Sequence, residues 1–126
     1  MPDLSTPGGA TFALVSLMEA GDLDGIADLY EERAVFVDLE GEVRGDGIRE
    51  AHRSFMEAGN RLILRRSVVY EANGIALVHW EWEVSLGDRS SIEGVSAEVL
   101  RRQPDGVWKF VIDNSDGVET LGPPGR

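Results

Sequence analysis

Four ionisable residues stand where predicted strands could present them to a pocket. Asp38 and Asp113 each end a run of β-forming residues. His79 and Glu81 share one face of another run, because side chains alternate along a strand. Carboxyl and imidazole groups exchange protons with a ligand when an apolar setting shifts their pKa values. These residues therefore indicate general acid–base chemistry, provided that they face a cavity.

Each of these residues also has a structural explanation. An aspartate at a strand end commonly bonds nearby backbone amides, so Asp38 and Asp113 could be turn-capping or solvated. The strand with His79 and Glu81 alternates them with an apolar set. Either this apolar face turns inward, or the charged face lines a cavity and the apolar face is covered from outside. The pattern leaves both arrangements open. The apolar set is Ala76, Val78, Trp80, Trp82 and Val84.

Two further ionisable residues border apolar positions. His52 lies one helical turn from Ile48, which makes it a core histidine, a pocket wall or a solvated edge. Glu98 alternates with Ala97 and Val99, so a strand through this stretch places the glutamate on the opposite face. Both residues stay open between a structural and a functional interpretation.

Several classes of chemistry find no support in the residue pattern. The chain has no cysteine, which excludes disulfides, thiolate catalysis and cysteine-ligated zinc. Its two histidines and scattered acids lack the spacing of metal ligands. There is no Gly-x-Ser-x-Gly nucleophile motif and no glycine-rich phosphate loop. We therefore expect neither a cofactor nor a metal.

The charge balance limits the partners. A formal charge of −11 repels phosphate backbones and anionic membranes, so we expect no nucleic acid and no membrane partner. No apolar run is long enough to span a bilayer. The N-terminal residues lack the basic and apolar regions of a signal peptide. We expect a cytoplasmic protein.

The elements that position these residues begin with three predicted helices. Ser5 or Thr6 caps the first, and Gly21 ends it. A short second helix starts at Asp22. Asp46 caps the third, which continues to about Ala58.

The remainder is predicted to be strands. Residues 34–38 form the first strand, and residues 39–45 form a turn with a short return strand. Long strands follow over residues 61–70, 75–86, 90–102 and 107–113. Asn73-Gly74 between the first two of these is a strong hairpin signal.

Helices first and a strand meander afterwards predict an α+β fold rather than a parallel doubly wound one. The predicted sheet is curved and antiparallel, since long strands in a small sheet must twist. It wraps around three N-terminal helices and leaves a cone-shaped internal pocket. We expect one domain over residues 1–126, with flexible tails at 1–5 and 115–126.

Two stretches carry a resemblance to a known family. Residues 20–26, 29–30, 34–38 and 45–50 form one stretch, and residues 100–108 form the other. The chain resembles the SnoaL-like and ketosteroid isomerase-like family, which shares the cone fold of nuclear transport factor two. The resemblance follows the element order over nearly the whole chain. It implies the fold more strongly than the reaction, because this fold hosts many chemistries.

The resemblance implies roles for single residues. Asp38 matches the general base of the isomerases, and Phe36 lies on the same face two residues earlier. Glu98 matches their protonated aspartic acid without a gap, whereas a one-residue slip places Ala97 there. Leu14 stands where the isomerases have a tyrosine donor. A leucine has no hydroxyl, so the oxyanion donor on which the steroid isomerases rely is missing at this position.

The limonene epoxide hydrolases of the same fold offer a second comparison. His79-Trp80-Glu81 resembles their Arg-x-Asp pair, with histidine in place of arginine, and Asp113 resembles their last-strand aspartate. The catalytic candidates are thus Asp38, Asp113, His79 and Glu81. The expected ligand pocket comprises Leu14, Met18, Tyr30, Phe36, His52, Phe55 and Glu98.

The family implies a cofactor-independent enzyme of the isomerase, polyketide cyclase or epoxide-hydrolase type. It would act on a small apolar, cyclic ligand by general acid–base catalysis. The alternative is a non-catalytic ligand-binding or dimerisation module on the same fold. Under either hypothesis we expect a homodimer.

Overall fold

The computed structural model describes residues 3–38 and 41–122. Within these ranges, three α-helices, seven strands and a short 3-10 helix at Gly117–Leu121 follow one another. The helices are α1 (Gly9–Ala20), α2 (Leu23–Asp28) and α3 (Asp46–Glu57). The strands are β1 (Tyr30–Asp38), β2 (Gly41–Arg44), β3 (Arg61–Ala72), β4 (Ile75–Ser85), β5 (Ser91–Val95), β6 (Ala97–Arg102) and β7 (Trp108–Asn114).

The helix starts follow local hydrogen bonding. Asp22 caps α2 as predicted, because its carboxylate accepts a 2.9 Å hydrogen bond from the Gly25 amide. The predicted cap of α1 at Ser5 or Thr6 is wrong, and the helix starts at Gly9. The Ser5 hydroxyl instead donates to the Asp3 carboxylate at 2.5 Å. In α3, Asp46 is the first helical residue rather than the cap.

The sheet is mixed and curved, in the order β2-β1-β7-β6-β4-β3, with β5 also paired to β4. The predicted α+β class is confirmed. One pairing departs from the expected antiparallel meander, because β1 and β7 run parallel. The long connection between them, which contains α3 and the other strands, lets the chain return in the same direction. All other pairings among the described strands are antiparallel.

One turn and one break shape the central strands of the sheet. Asn73 and Gly74 both have positive φ angles, 54° and 77°, as a type I′ hairpin requires, and this prediction is confirmed. The strand predicted over residues 90–102 is instead broken at Ser96 into β5 and β6. The Ser96 amide donates to the Trp80 carbonyl at 2.9 Å, and the Ser96 hydroxyl accepts from the Trp80 amide at 3.1 Å. These two hydrogen bonds connect the break at Ser96 to β4.

The apolar face of β4 turns inward. Its alternate residues from Ala76 to Val84 are buried, and Val78 and Trp80 belong to the core with residues of α1, α2 and α3. His79 and Glu81 therefore lie on the outer face. The structure thus decides between the two arrangements that the sequence left open.

The ends and the turn after β1 are partly outside the described residues. Of the turn predicted over residues 39–45, residues 39–40 lie outside, and β2 supplies the predicted return strand. Of the predicted tails, residues 1–2 and 123–126 lie outside. The Leu4 carbonyl accepts a 2.9 Å hydrogen bond from the Trp108 amide. No helix in the described part of the chain could cross a membrane.

Core packing on the inner face should dominate stability. Leu100 is fully buried, so Leu100→Ala should lower the free energy of unfolding by about 2–5 kcal/mol through lost burial and a cavity. The matched control is Leu121→Ala, since Leu121 is 79% exposed and should change stability by less than about 0.5 kcal/mol. Urea denaturation measures both. Equal effects of the two substitutions would contradict this core assignment.

Candidate functional site

A cavity of about 620 Å³ lies between the inner face of the sheet and helices α1 and α3. Most of its wall is apolar. Aromatic side chains of four residues contribute to this wall, namely Phe36, Phe55, Trp80 and Trp82. A smaller polar set meets the cavity, and it includes Thr11, Asp38, His52, Ser96, Glu98 and Asp113. An apolar cavity with few polar groups is typical of a small-molecule site.

Two carboxyl groups face each other deep in this cavity. Glu98 on β6 and Asp113 on β7 are cross-strand partners. They are only 3% and 5% exposed. Alternation along β6 carries Glu98 to the same inner face as Leu100. The structure thus buries a pair of acids against the same apolar wall.

A β-bulge explains why Asp113 is inside. The alternation of Trp108, Phe110 and Ile112 predicts Asp113 on the opposite face. The ladder with β6 shifts register here, so that Val99 faces Ile112 while Leu100 faces Phe110, leaving one extra residue in β7. Beyond the bulge, Asp113 shares the inner face with Phe110 and Ile112 turns outward.

Hydroxyl groups hold the Glu98 carboxyl. Thr11 Oγ1 on α1 donates to Glu98 Oε1 at 2.6 Å, and Ser96 Oγ donates to Oε2 at 3.0 Å. Burial raises the pKa of Glu98 to about 8, with a further contribution from the charge of Asp113, and the two hydroxyls oppose this shift. Burial therefore favours the protonated form of Glu98 at neutral pH.

Tyr30 on β1 connects Asp113 to His52. Its hydroxyl donates to Asp113 Oδ2 at 2.6 Å and lies 2.9 Å from His52 Nε2. Burial raises the pKa of Asp113 to about 6, and the Tyr30 hydroxyl opposes this shift. Burial and the neighbouring Asp113 raise the pKa of Tyr30 well above its ordinary value, so the phenol stays protonated.

His52 on α3 forms one wall of the cavity. Its ring stacks on Phe36 with centroids 4.8 Å apart and planes 19° apart, and the residue is 3% exposed. Burial lowers the pKa of His52 to about 4, against the opposing effect of the Asp38 charge. The imidazole is therefore neutral near pH 7.

Asp38 differs from the two buried acids in its setting. It ends β1, lines the cavity and is half-buried. Its negative charge also helps to raise the pKa of Asp116, after the larger effect of burial. The cavity thus meets carboxyl groups in two environments, one half-buried and one apolar.

The predicted site residues divide into three groups. Those that line the cavity are Asp38, Asp113, Met18, Phe36, His52, Phe55 and Glu98. Tyr30 and Leu14 are buried in the core, and Tyr30 reaches the site through its hydroxyl. His79 and Glu81 lie apart on the outer face of β4. There, His79 Nδ1 lies 2.9 Å from the Ser96 carbonyl and Glu81 pairs with Arg66 at 3.1 Å.

Two functional residues escaped the sequence analysis. Thr11 and Ser96 are buried hydroxyls that hold Glu98. Ser96 lies two positions before Glu98 and therefore on the same face of a strand, which is the sequence signal that could have pointed to it. Nothing in the sequence marks Thr11. In the part of the chain that the structure describes, no group of three or more His, Asp or Glu residues could hold a metal ion.

A family model described as a SnoaL-like domain matches residues 12–112. The chain belongs to the SnoaL-like domain family. The resemblance drawn from residues 20–26, 29–30, 34–38, 45–50 and 100–108 is therefore confirmed. No curated protein matches the chain.

Solved structures with the same fold carry different names. One is a candidate dehydratase of the NTF2-like family from Streptomyces avermitilis, with 21% identity, 88% of this chain and 92% of that chain covered, and a TM-score of 0.72. A candidate ketosteroid isomerase from Shewanella frigidimarina has 12% identity, coverage of 85% and 91%, and a TM-score of 0.70. A candidate calcium/calmodulin-dependent protein kinase type II association domain from Thiobacillus denitrificans has 20% identity, coverage of 93% and 98%, and a TM-score of 0.74. At these identities, the likeness of this SnoaL-like chain to them shows the fold alone.

The raised pKa of Glu98 predicts how stability depends on pH. A folded carboxyl that holds its proton to about pH 8 binds more protons than the unfolded chain above pH 4.5, so stability falls as pH rises through this range. Below pH 6.5, the lowered pKa of His52 acts in the opposite direction. Between pH 6.5 and 8, the free energy of unfolding should therefore fall by about 2 kcal/mol.

Urea denaturation at a series of pH values measures this slope. Glu98→Gln cannot ionise and should flatten it. The control Glu93→Gln changes an exposed glutamate on β5 and should leave the slope as it is. A natural protein with a flat profile above pH 6.5 would contradict the burial of a protonated Glu98.

Proposed function

We propose that this SnoaL-like protein is a cofactor-independent enzyme that acts on a small apolar, cyclic molecule by general acid–base catalysis. One observation carries the proposal. Glu98 is an acid that burial keeps protonated, and it meets the same apolar cavity as the half-buried Asp38. Acid–base catalysis needs two groups with different proton affinities on one ligand.

The two carboxyl groups take complementary roles. Asp38 accepts a proton from the ligand, and the protonated Glu98 donates a hydrogen bond to the oxygen on which negative charge develops. Such a donor is effective because the apolar wall excludes water and the hydroxyls of Thr11 and Ser96 fix the carboxyl beforehand. Asp113 tunes Glu98 from the facing strand.

The cavity supports a ring-shaped apolar ligand. A volume of about 620 Å³ lies within the range of small-molecule sites. Phe36 and Trp80 offer flat walls, and the few polar groups can orient a ligand that carries one or two oxygens. Isomerisation, aldol-type cyclisation and epoxide opening are the reactions of this class. Two solved structures with the same fold are named as a candidate ketosteroid isomerase and a candidate dehydratase.

One observation favours a non-catalytic ligand-binding module instead. By the family resemblance, Leu14 stands where the isomerases have a tyrosine donor, and the structure buries this leucine in the core. It has no hydroxyl to donate. A pure binder would hold the same ligands through the aromatic walls without turning them over. Binding and turnover must therefore be measured separately.

Asp38→Asn tests the assignment of the base. The substitution keeps size and polarity, so the fold should stay intact, while turnover should fall by at least about a hundredfold because the amide cannot accept the proton. The assay first screens steroids, terpene epoxides, aromatic polyketides and small phenols by thermal shift, since a bound ligand raises the melting temperature. Turnover of each hit is then followed.

The matched control is Asp28→Asn, which changes an exposed aspartate on α2 and should behave as the natural protein. Unchanged turnover in Asp38→Asn would overturn the role of Asp38. Hits that are bound tightly but never converted would favour the binding module.

We also propose that the protein is a homodimer that pairs through the outer face of the sheet. Tyr70, Leu77, Val99 and Ile112 are successive cross-strand partners on β3, β4, β6 and β7, and we name them the outer row. All but the half-buried Val99 are exposed. A continuous apolar row of this length on a surface favours association.

The charges beside the outer row are neutralised within the chain. Arg66 pairs with Glu81 at 3.1 Å, and Arg101 pairs with Glu31 at 2.9 Å. Because these two acids are paired, they add little repulsion when two outer rows approach each other. We infer that the occupant of this face is a second copy of the chain.

Light scattering tests the dimer. The natural protein should have twice the mass of the chain, and Leu77→Glu should weaken association more than about tenfold by placing a charge in the apolar row. Val118→Glu is the control, because Val118 is exposed on the 3-10 helix and is not a member of the row. A monomeric natural protein would contradict the proposed pairing.

A further inference from the structure

Tyr30 is placed between two groups that can each hold a proton. Its hydroxyl oxygen is 2.6 Å from Asp113 Oδ2 and 2.9 Å from His52 Nε2. A phenol has one hydrogen, so it donates to one neighbour and accepts from the other. The proton on one end of this row therefore decides where the proton sits on the other end.

Two arrangements satisfy every hydrogen bond in the row. When Asp113 is protonated, it donates to Tyr30, Tyr30 donates to His52 Nε2, and the neutral ring carries its hydrogen on Nδ1. When Asp113 is ionised, Tyr30 donates to it, His52 Nε2–H donates to Tyr30, and Nδ1 becomes an acceptor. The ionisation of Asp113 thus selects the tautomer of His52.

A third arrangement, with a charged imidazolium, is disfavoured by burial. His52 is 3% exposed and stacked on Phe36. Desolvation lowers its pKa to about 4 even though the charge of Asp38 acts in the opposite direction. The ring therefore stays neutral when it exchanges a proton near pH 7.

We propose that Asp113, Tyr30 and His52 form a proton relay, in which a proton given up or taken at His52 Nδ1 is replaced or removed by Asp113 while the ring stays neutral. This role deepens the proposed acid–base function and rests on it. His52 meets the ligand at the cavity wall, and Tyr30 passes the proton between His52 and the buried acid.

The proton transfers balance. Nδ1–H breaks as its proton passes to an oxygen of the ligand. The Tyr30 O–H proton moves to Nε2, and the Asp113 O–H proton moves to Tyr30. Asp113 ends as a carboxylate, and the acceptor has gained one proton. When a proton returns to Nδ1, the same transfers run in reverse and Asp113 regains its proton.

The other titratable groups around the row support this exchange. Glu98 faces Asp113 from β6 and stays protonated to about pH 8, so it adds no charge beside Asp113 near neutrality. Asp38, at the end of β1, is the charge that acts on His52. Glu50 on α3 also lines the cavity but is exposed to solvent. Asp113, with a pKa of about 6, is the member of the row that titrates near neutrality.

A purely structural role makes a different prediction. The same contacts could serve only to fasten α3 and β1 to β7, in which case His52 would keep one tautomer while Asp113 titrates. The pH dependence of the His52 tautomer therefore distinguishes a proton relay from a purely structural contact, and the stability of the protein does not.

Nitrogen-15 NMR of histidine-labelled protein measures the tautomer directly. In the natural protein, His52 should change from mainly Nδ1–H to mainly Nε2–H as pH rises through about 6, without the signature of an imidazolium. The outer-face His79 gives an internal reference in the same spectra. One unchanged tautomer over this range, or a charged His52 ring, would overturn the relay.

Two variants locate the coupling. Asp113→Asn cannot ionise and Tyr30→Phe cannot pass a proton, so each should make the His52 tautomer independent of pH. Asp28→Asn removes the charge of an exposed aspartate on α2, an element that carries none of the proton-holding groups of the row, and should keep the natural change. A pH-dependent tautomer in both site variants would overturn the relay, and if Tyr30→Phe fails to fold, Asp113→Asn decides.

These measurements need no ligand, so they separate the relay from the enzyme proposal. A tautomer change without turnover of any screened compound would leave the relay standing and count against the enzyme. Turnover with a fixed tautomer would do the reverse.

Discussion

The desolvation of two carboxyl groups is the constraint on which the rest of the site depends. Moving an ionised carboxylate out of water is costly, so the fold must either supply hydrogen bonds or leave the group protonated. It does both here. Thr11 and Ser96 bond Glu98, and Tyr30 bonds Asp113. The result is a pair of acids that titrate well above their ordinary range within an apolar cavity.

Two irregularities of the sheet bring these acids together. The break at Ser96 ends β5, turns the chain into β6 and supplies a hydroxyl to Glu98. The bulge in β7 moves Asp113 to the inner face, across from Glu98. Irregularities of this kind commonly aim a side chain into a site. The same sheet, built from regular strands, would place Asp113 on the outside.

Much of the fold could be predicted from local signals. The Asn73-Gly74 hairpin and the Asp22 cap follow from residues whose backbone chemistry is decided within a few positions. The element order placed the chain in its family. In the site, the resemblance is what singled out Asp38 and Glu98. Periodicity alone does not show whether a single acid in a strand is buried or exposed to solvent.

The remainder depended on distant contacts. The bulge beside Asp113 arises from the pairing of β7 with β6. No residue near it signals in the sequence that the side chains of β7 change faces there. Trp80 faces inward, where its ring packs against Phe12 of α1 with the ring centroids 5.0 Å apart. The alternation within β4 does not by itself decide this direction. This direction carried His79 and Glu81 to the outer face, away from the pocket in which the family comparison sought them. Hydrogen bonds over long sequence separation, such as Thr11 to Glu98, have no local signature.

The proposed chemistry requires an acid in the cavity that stays protonated at neutral pH. Carbon-13 NMR of the side-chain carboxyl groups measures this protonation, with Glu98→Gln and Asp113→Asn to assign the two resonances. Glu98 should remain protonated at pH 7 and lose its proton near pH 8, and Asp113 should titrate near pH 6. Titration of both groups together with the exposed carboxylates, near pH 4, would contradict it.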